Sequence, residues 1–193
     1  MEKEFALTGR QGPAADEELL EGCRQGSLPS FERLYQEHGA RMKSIALNLV
    51  GNVADAEDAV QDTFLKVYRG LSRFRGGSTF STWIYRILVN SCYDLMRRSR
   101  RRAEGPLPAK IALAPASESD HPLRLSIEAA LRRLDGPERT AFLLCEVEGF
   151  SHRETSQILD VSENASRTLL FKARRRMQRE LRASGALLAE SAS

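Results

Sequence analysis

The sequence predicts an all-α protein made of two small helical domains joined by a flexible linker. Three observations carry this. Apolar residues recur at three- and four-residue steps along most of the chain, and strand-like alternation is absent. Residues able to cap a helix stand before each periodic run. One stretch without periodicity, AEGPLPAKIALAPASESDHP (103–122), holds four of the seven prolines and interrupts the pattern.

Taken in order, residues 1–15 carry glycine and proline without periodicity and are expected to form a mobile lead-in. Asp16, followed by Glu17 and Glu18, is a plausible N-cap and opens a first domain over 16–102. Ser30 can cap a helix whose core positions are Phe31, Leu34, Tyr35, Met42, Ile45, Ala46 and Leu49, stopped by Gly51. A second helix, Asp55 to Tyr68, turns Ala56, Ala59, Val60, Phe64 and Val67 to the core and repeats Asp55, Asp58 and Asp62 along another face. Gly76 and Gly77 break continuity before a third helix from Phe80, which Thr79 or Ser81 can cap. That helix ends in five arginines within Arg97 to Arg102.

The linker 103–122 reads as a tether. A second domain, 123–183, opens on Leu123, Ile127, Ala130, Leu131 and Leu134. Asp135 with Glu138 forms a capping-box pair before a helix that ends at Gly149, and Ser151 with Glu154 forms another. The second box starts a short helix ending near Leu159, and Ser162 caps a longer one. This is the spacing of a helix-turn-helix, and residues 184–193 are left as a tail. The two halves share no internal repeat.

At 193 residues with 41% apolar content, the chain can bury compact cores. Its net charge is only +3, so local patches matter more than the total. Cys23, Cys92 and Cys145 are odd in number and lack metal-ligand spacing, which argues against a disulfide framework or zinc ribbon and fits a reducing cytoplasm. No apolar run reaches membrane-span length, and the polar, acidic N-terminus does not read as a signal peptide. His38, His121 and His152 are scattered, and neither a GxSxG elbow nor a phosphate loop occurs, so no enzyme, metal or cofactor is expected.

Three constellations remain. In a helix-turn-helix the second helix enters the major groove, and here its first turns carry Ser162, Asn164, Ala165, Ser166 and Arg167. Asn and Arg can each bond a base edge in two places, while Lys172, Arg174, Arg175 and Arg176 lie where phosphates are nearer. The bland counterpart is a helical hairpin with a solvated basic face. Asp55, Glu57, Asp58 and Asp62 form an acidic patch that would repel DNA and attract a basic partner, unless it is simply a solvated face. Lacking a histidine or a DxDxDG loop, it does not read as a metal site. Trp83, Ile87, Asn90, Asp94 and Arg97 share a strip of the third helix. Trp83 there is either core or a stacking surface for an unpaired base, with Asn90 to meet a base edge and the arginines its backbone.

The motifs DAEDAVQDTFLKVY, FRGGSTFSTWIYRILVNSCYDLMRR and GFSHRETSQILDVSENASRTLLFKARRRM occur in that order. Together they resemble the extracytoplasmic-function (ECF) branch of bacterial sigma factors of the sigma-70 family. The resemblance covers about Asp16 to Leu181, without the intervening domain of primary sigma factors. It implies a cytoplasmic, non-enzymatic transcription initiation factor with sigma region 2 over 16–102 and sigma region 4 over 123–183. Its implied partners are core RNA polymerase (clamp helices and flap), promoter DNA and a cognate anti-sigma factor. It assigns polymerase binding to Asp55, Asp58, Gln61 and Asp62. It assigns minus-ten recognition and melting to Arg75, Ser78, Thr79, Phe80, Trp83, Asn90, Arg97 and Arg98. Minus-thirty-five recognition falls to Ser162, Asn164, Ala165, Ser166, Arg167, Lys172 and Arg174. Leu169, Ser166 and Thr155-Ser156 depart from common family residues, and the two hydroxyls of the last pair are expected to loosen the first helix of the motif. The alternative reading is a free-standing helix-turn-helix regulator, which would have no use for the acidic helix.

Overall fold

A computed structural model describes residues 13–103 and 122–185. Among the described residues every regular element is helical: α1 (Pro13–Arg24), α2 (Leu28–Val50), α3 (Val53–Gly70), α4 (Phe80–Ala103), α5 (Pro122–Arg132), α6 (Gly136–Phe142), α7 (His152–Leu159) and α8 (Glu163–Ala183). A single 3-10 turn, Leu71–Arg73, follows α3, and α6 runs on into a π-helical turn, Leu143–Val147. The expected linker falls almost wholly on residues outside this description, as does most of the expected lead-in and the tail.

Several helix starts differ from expectation, each for a local reason. α1 begins at Pro13, inside the expected lead-in, because proline is suited to a first helical turn. α2 is capped by Ser27, whose hydroxyl accepts from the Ser30 N–H, so Ser30 sits one turn inside the helix it was expected to cap. Asn52 caps α3: its Oδ1 accepts from the Asp55 N–H at 2.8 Å. Thr79 caps α4 by accepting from the Thr82 N–H at 3.2 Å.

The expected box at Asp135 and Glu138 does not form. Asp135 has the N-cap position without a side-chain cap bond, and both carboxylates meet the Arg176 guanidinium, at 3.0 and 3.2 Å. α8 brings the two carboxylates a partner of full positive charge, which holds both away from the helix start. The box at Ser151 and Glu154 does form in both directions. Between them Gly149, at φ 71°, makes a left-handed turn open to glycine at no steric cost.

Packing follows the apolar stripes. α2, α3 and α4 pack against one another with α1 laid on α2, and α8 is packed by α5, α6 and α7. The two groups are not independent in space. α7 lies against α4 and α6 against α2, so one hydrophobic core runs through both, from Leu34, Met42 and Ile84 to Leu144, Ile158 and Met177.

The two capping sites make a checkable contrast. Ser151→Ala should cost about 1 kcal/mol, as loss of a formed N-cap does. Asp135→Ala should cost well under that, since it removes only one exposed arm of an ion pair. Thermal melts of both variants test the difference.

Candidate polymerase and nucleic-acid interfaces

On α3 the four candidate docking residues divide by what they already do. Asp55 is half-buried and bound to the Asn52 amide at 2.7 Å, so its carboxylate serves the helix start. Asp62 accepts from Lys66 at 2.7 Å and from Ser91 of α4 at 2.9 Å, tying α3 to α4. Burial works to raise the Asp62 carboxyl. Hydrogen bonds from Lys66 and Ser91, with the charges of Lys66 and Arg98, outweigh it and hold the group below its ordinary value. Asp58 and Gln61 are exposed.

Beside them a groove of about 500 Å³ opens between α2 and α3, lined by Tyr35, Gly39, Val60, Phe64 and Leu65 and flanked by the Lys43–Glu57 ion pair. The Tyr35 ring packs at a tilt against Phe64, centroids 5.3 Å apart, and Phe31 against Tyr68 at 5.4 Å. Helical spacing placed Tyr35 with the core, yet it is 61% exposed, and Tyr68 is 64% exposed. The groove therefore went unseen in the sequence, where a position on the edge of an apolar stripe looks the same as one at its centre.

The loop before α4 exposes Arg75 and Thr79 and half-exposes Ser78. Phe80, expected on the DNA face, is instead buried at 3% exposure, 5.9 Å from Phe74 and 6.0 Å from Trp83. It anchors the loop and offers no ring to a base. Trp83 is half-buried, packs at a tilt against Phe74 at 5.0 Å and lies against Gly70, where an added Cβ would lie 3.0 Å from the indole. Its core alternative thus accounts for most of the ring. Asn90, two turns along the same strip, is exposed, Arg97 pairs with Asp94, and Arg98 is exposed near Asp62.

The helix-turn-helix is built as its caps require. Asp160 ends α7 in the left-handed conformation, with its N–H bonded to the Ser156 carbonyl, and the exposed Ser162 accepts from the Ala165 N–H at 3.1 Å. α8 buries Ser166, Leu170, Ala173 and Met177. The opposite face carries Asn164, Arg167, Thr168, Phe171, Lys172 and Arg175, all exposed.

Ser166 must be corrected. It is wholly buried, with its Oγ 3.1 Å from His152 Nδ1, so it joins the two helices of the motif and reaches no base edge. Ala165 is half-buried beside it, and Leu169 likewise. Arg167 donates to Glu163 at 2.6 Å and to Asn164 at 3.4 Å, which holds both candidate readers on one face. Arg174 donates to Glu146 at 2.6 Å, while Arg175 stands over the Phe171 ring at 5.7 Å. Thr168 and Phe171 were missed, and their exposure is the signal that finds them. The hydroxyls of Thr155 and Ser156 do not loosen α7: one meets Cys145 Sγ at 3.3 Å and the other donates to the Arg153 carbonyl at 2.7 Å.

Comparison with known proteins matches residues 34–102 to sigma-70 region 2 and residues 124–177 to sigma-70 region 4. The chain is 33% identical over 175 residues to the ECF RNA polymerase sigma factor SigE of Mycolicibacterium smegmatis, covering 87% of this chain and 68% of that protein. The chain belongs to the ECF sigma factors.

It is also 30% identical over 173 residues to SigM of Mycobacterium tuberculosis, covering 90% of this chain and 88% of that one. Its fold matches that of the sigma factor RpoE of Bartonella quintana, solved with the anti-sigma factor NepR. That match has a TM-score of 0.66 and 27% identity, and covers 78% of this chain and 98% of the other. The protein is an alternative sigma factor, all-helical, with transcription initiation as its role.

Burial pushes the Cys23 thiol up to about 11 and the Cys92 thiol up to about 12, so both are protonated core side chains. Among the described residues no helix is long and apolar enough to cross a membrane.

The burial of Ser166 sets a test. Ser166→Ala should lower stability by about 1 kcal/mol through loss of the His152 bond. Affinity for minus-thirty-five DNA at temperatures well below the melt should stay within twofold of wild type. Calorimetry and duplex titration measure the two separately.

Proposed function

We propose that this sigma factor docks on core RNA polymerase through Asp58, Gln61 and the adjoining apolar groove, and then reads a promoter at two places in two forms of DNA. The observation that carries the docking reading is the juxtaposition of exposed carboxylate and amide on α3 with an open apolar cleft between α2 and α3. A basic helical partner with an apolar edge would find both charge and area there. The clamp helices of the polymerase are such a partner by family resemblance. Asp55 and Asp62 support this surface through their bonds to Asn52, Lys66 and Ser91.

For the minus-ten element, Arg75, Ser78 and Thr79 of the loop and Asn90 of α4 supply polar groups for an unpaired base, with Arg97 and Arg98 near its phosphates. Trp83 contributes only the exposed part of its ring. For the minus-thirty-five element, Asn164 and Arg167 lead the reading of duplex DNA, supported by Thr168 and Phe171, and Lys172 and Arg174 lie towards phosphates. The factor performs no catalysis and works in the cytoplasm, where the polymerase is. An anti-sigma protein is a fitting regulator, since RpoE of B. quintana was solved with one. A free-standing regulator would leave the groove and its exposed aromatics without a use.

Asp58→Lys should reduce capture of core polymerase by roughly tenfold, a loss of about 1.4 kcal/mol, with the helical circular dichroism unchanged. Wild-type capture by that variant would remove α3 from the docking surface. Asn90→Ala should leave closed-complex affinity near wild type and slow the appearance of permanganate-reactive thymines in the holoenzyme complex. Arg167→Ala should instead weaken closed-complex binding by about 1–3 kcal/mol. If Asn90→Ala melts promoter DNA at the wild-type rate, the minus-ten assignment of that residue is wrong.

A further inference from the structure

Helix α1 makes one polar bond that the interfaces described above do not use. Arg24, its last residue, donates from Nη2 to the backbone carbonyl of Phe74, fifty residues further on. Phe74 is where the candidate minus-ten loop departs. It closes the 3-10 turn after α3, its N–H bonded to the Leu71 carbonyl at 3.2 Å, and residues 75–79 follow. Arg24 stands outside the three sequence motifs, and α1 precedes residue 34, where the match to region 2 begins.

Arg24 is held at a fixed point. Beyond it the chain closes a two-bond turn: the Gly26 N–H bonds to the Cys23 carbonyl at 3.1 Å and the Ser27 N–H to the Gly22 carbonyl at 3.0 Å, with Gly26 at φ 74°. This paired pattern ends a helix at a defined residue and leaves Arg24 in the last turn. Leu19, Leu20 and Cys23 are buried, which fastens that end of α1 to the core. At Gly22 an added Cβ would lie 2.2 Å from Ser30 Oγ, so α1 and α2 meet with no room to slide. The Arg24 side chain is 37% exposed, and its other partner, Glu21, stands at 3.8 Å, so the Phe74 carbonyl is the closer of the two acceptors.

The loop depends on its roots. An added Cβ would meet nothing within 4 Å at Gly76 or Gly77, so side-chain packing does not fix the backbone there. At the far root Thr79 caps α4 and shares a 2.7 Å hydrogen bond with Thr82. At the near root Phe80 and Trp83 hold the Phe74 ring, and Arg24 sets the direction of the Phe74 carbonyl. A trans peptide is planar, so orienting that carbonyl also aims the Arg75 N–H the opposite way and fixes where Arg75 starts. Two glycines separate Arg75 from Ser78, and glycine has the most backbone freedom to lose. An unfixed root would therefore spread the loop over many conformations.

We propose that Arg24 is a positioning residue for promoter melting: by holding the Phe74 carbonyl it sets the loop that presents Arg75, Ser78 and Thr79 to an unpaired base, and with it the selectivity for that base. The proposal rests on the minus-ten reading of the loop. In this role Arg24 touches no DNA. A planar guanidinium suits the task better than an ammonium, because its donors have a fixed direction. Ordering the loop beforehand removes an entropy cost that would otherwise fall on base capture.

The test uses holoenzyme assembled from the full chain and core polymerase, on promoter duplexes varied one base at a time through the minus-ten element. Arg24→Met keeps the alkyl length and loses the donors. It should slow the appearance of permanganate-reactive thymines by roughly tenfold, the scale of one hydrogen bond to a charged group. It should also narrow the spread of melting rates among the four bases at the unpaired position. Core capture, closed-complex affinity and helical circular dichroism should match wild type, and Arg24→Lys, which keeps the charge and a donor, should recover part of the loss. Wild-type melting with wild-type base preference in Arg24→Met overturns the inference. A direct phosphate contact would instead weaken closed-complex binding for every sequence alike and lower its salt slope by about one, and that result overturns it too. If Arg24→Met loses helical signal, Arg24→Gln, whose shorter amide stops short of the Phe74 carbonyl, decides by the same readouts. Arg75→Ala with Ser78→Ala separates the inference from the reading beneath it. Wild-type melting and base preference in that pair remove the loop and Arg24 together. A defect there beside wild-type behaviour of Arg24→Met overturns the role of Arg24 alone.

Discussion

Everything in this structure depends on how helix α4 is buried. One stripe of it, Ile84, Leu88, Val89 and Cys92, enters the core against α2 and α3. A second stripe, Thr82, Tyr85, Arg86 and Tyr93, meets α6, α7 and the turn after α7. A third, with Asn90 and the arginines, is left to solvent. A helix has about 360° to divide, and here each third has a different partner. The fold of the first half, the attachment of the second half and the candidate minus-ten surface are therefore not separable properties.

The interior is held mainly by apolar area, and small buried hydroxyls complete it. Thr63 donates to the Ala59 carbonyl at 2.7 Å, Thr140 to Gly136 at 2.9 Å, and Ser166 lies against His152. Each is a buried polar group with a named partner, so helices can approach closely without an unsatisfied donor. The same economy explains Asp62. Its carboxylate is satisfied by Lys66 and Ser91, so it supports α3 against α4, while Asp58 one turn before it and Gln61 next to it stay exposed to a partner.

The helix periods, the Ser151–Glu154 box, the Ser162 cap and the order of the three motifs were legible in the sequence, because each depends on residues within one turn of each other. One expected cap failed to a near neighbour, Ser30 to Ser27, and one expected box failed to a distant competitor. Asp135 and Glu138 look like a capping box until α8 brings Arg176 to them, and no local rule contains Arg176. Phe80 looks like part of a base-handling loop until Phe74 and Trp83 close over it.

The sequence by itself determined that the chain is helical, where its motifs lie and which residue types could meet DNA or polymerase, since periodicity and capping are near-neighbour physics. Only the tertiary structure decided which of those residues face outward. It buried Ser166 and Phe80, exposed Tyr35 and Phe171, and placed Arg139 at the end of a helix some ninety residues earlier in the chain. Those outcomes depend on the angle at which one helix meets another. That angle is set by the summed packing of both stripes, and no single stretch of residues encodes it.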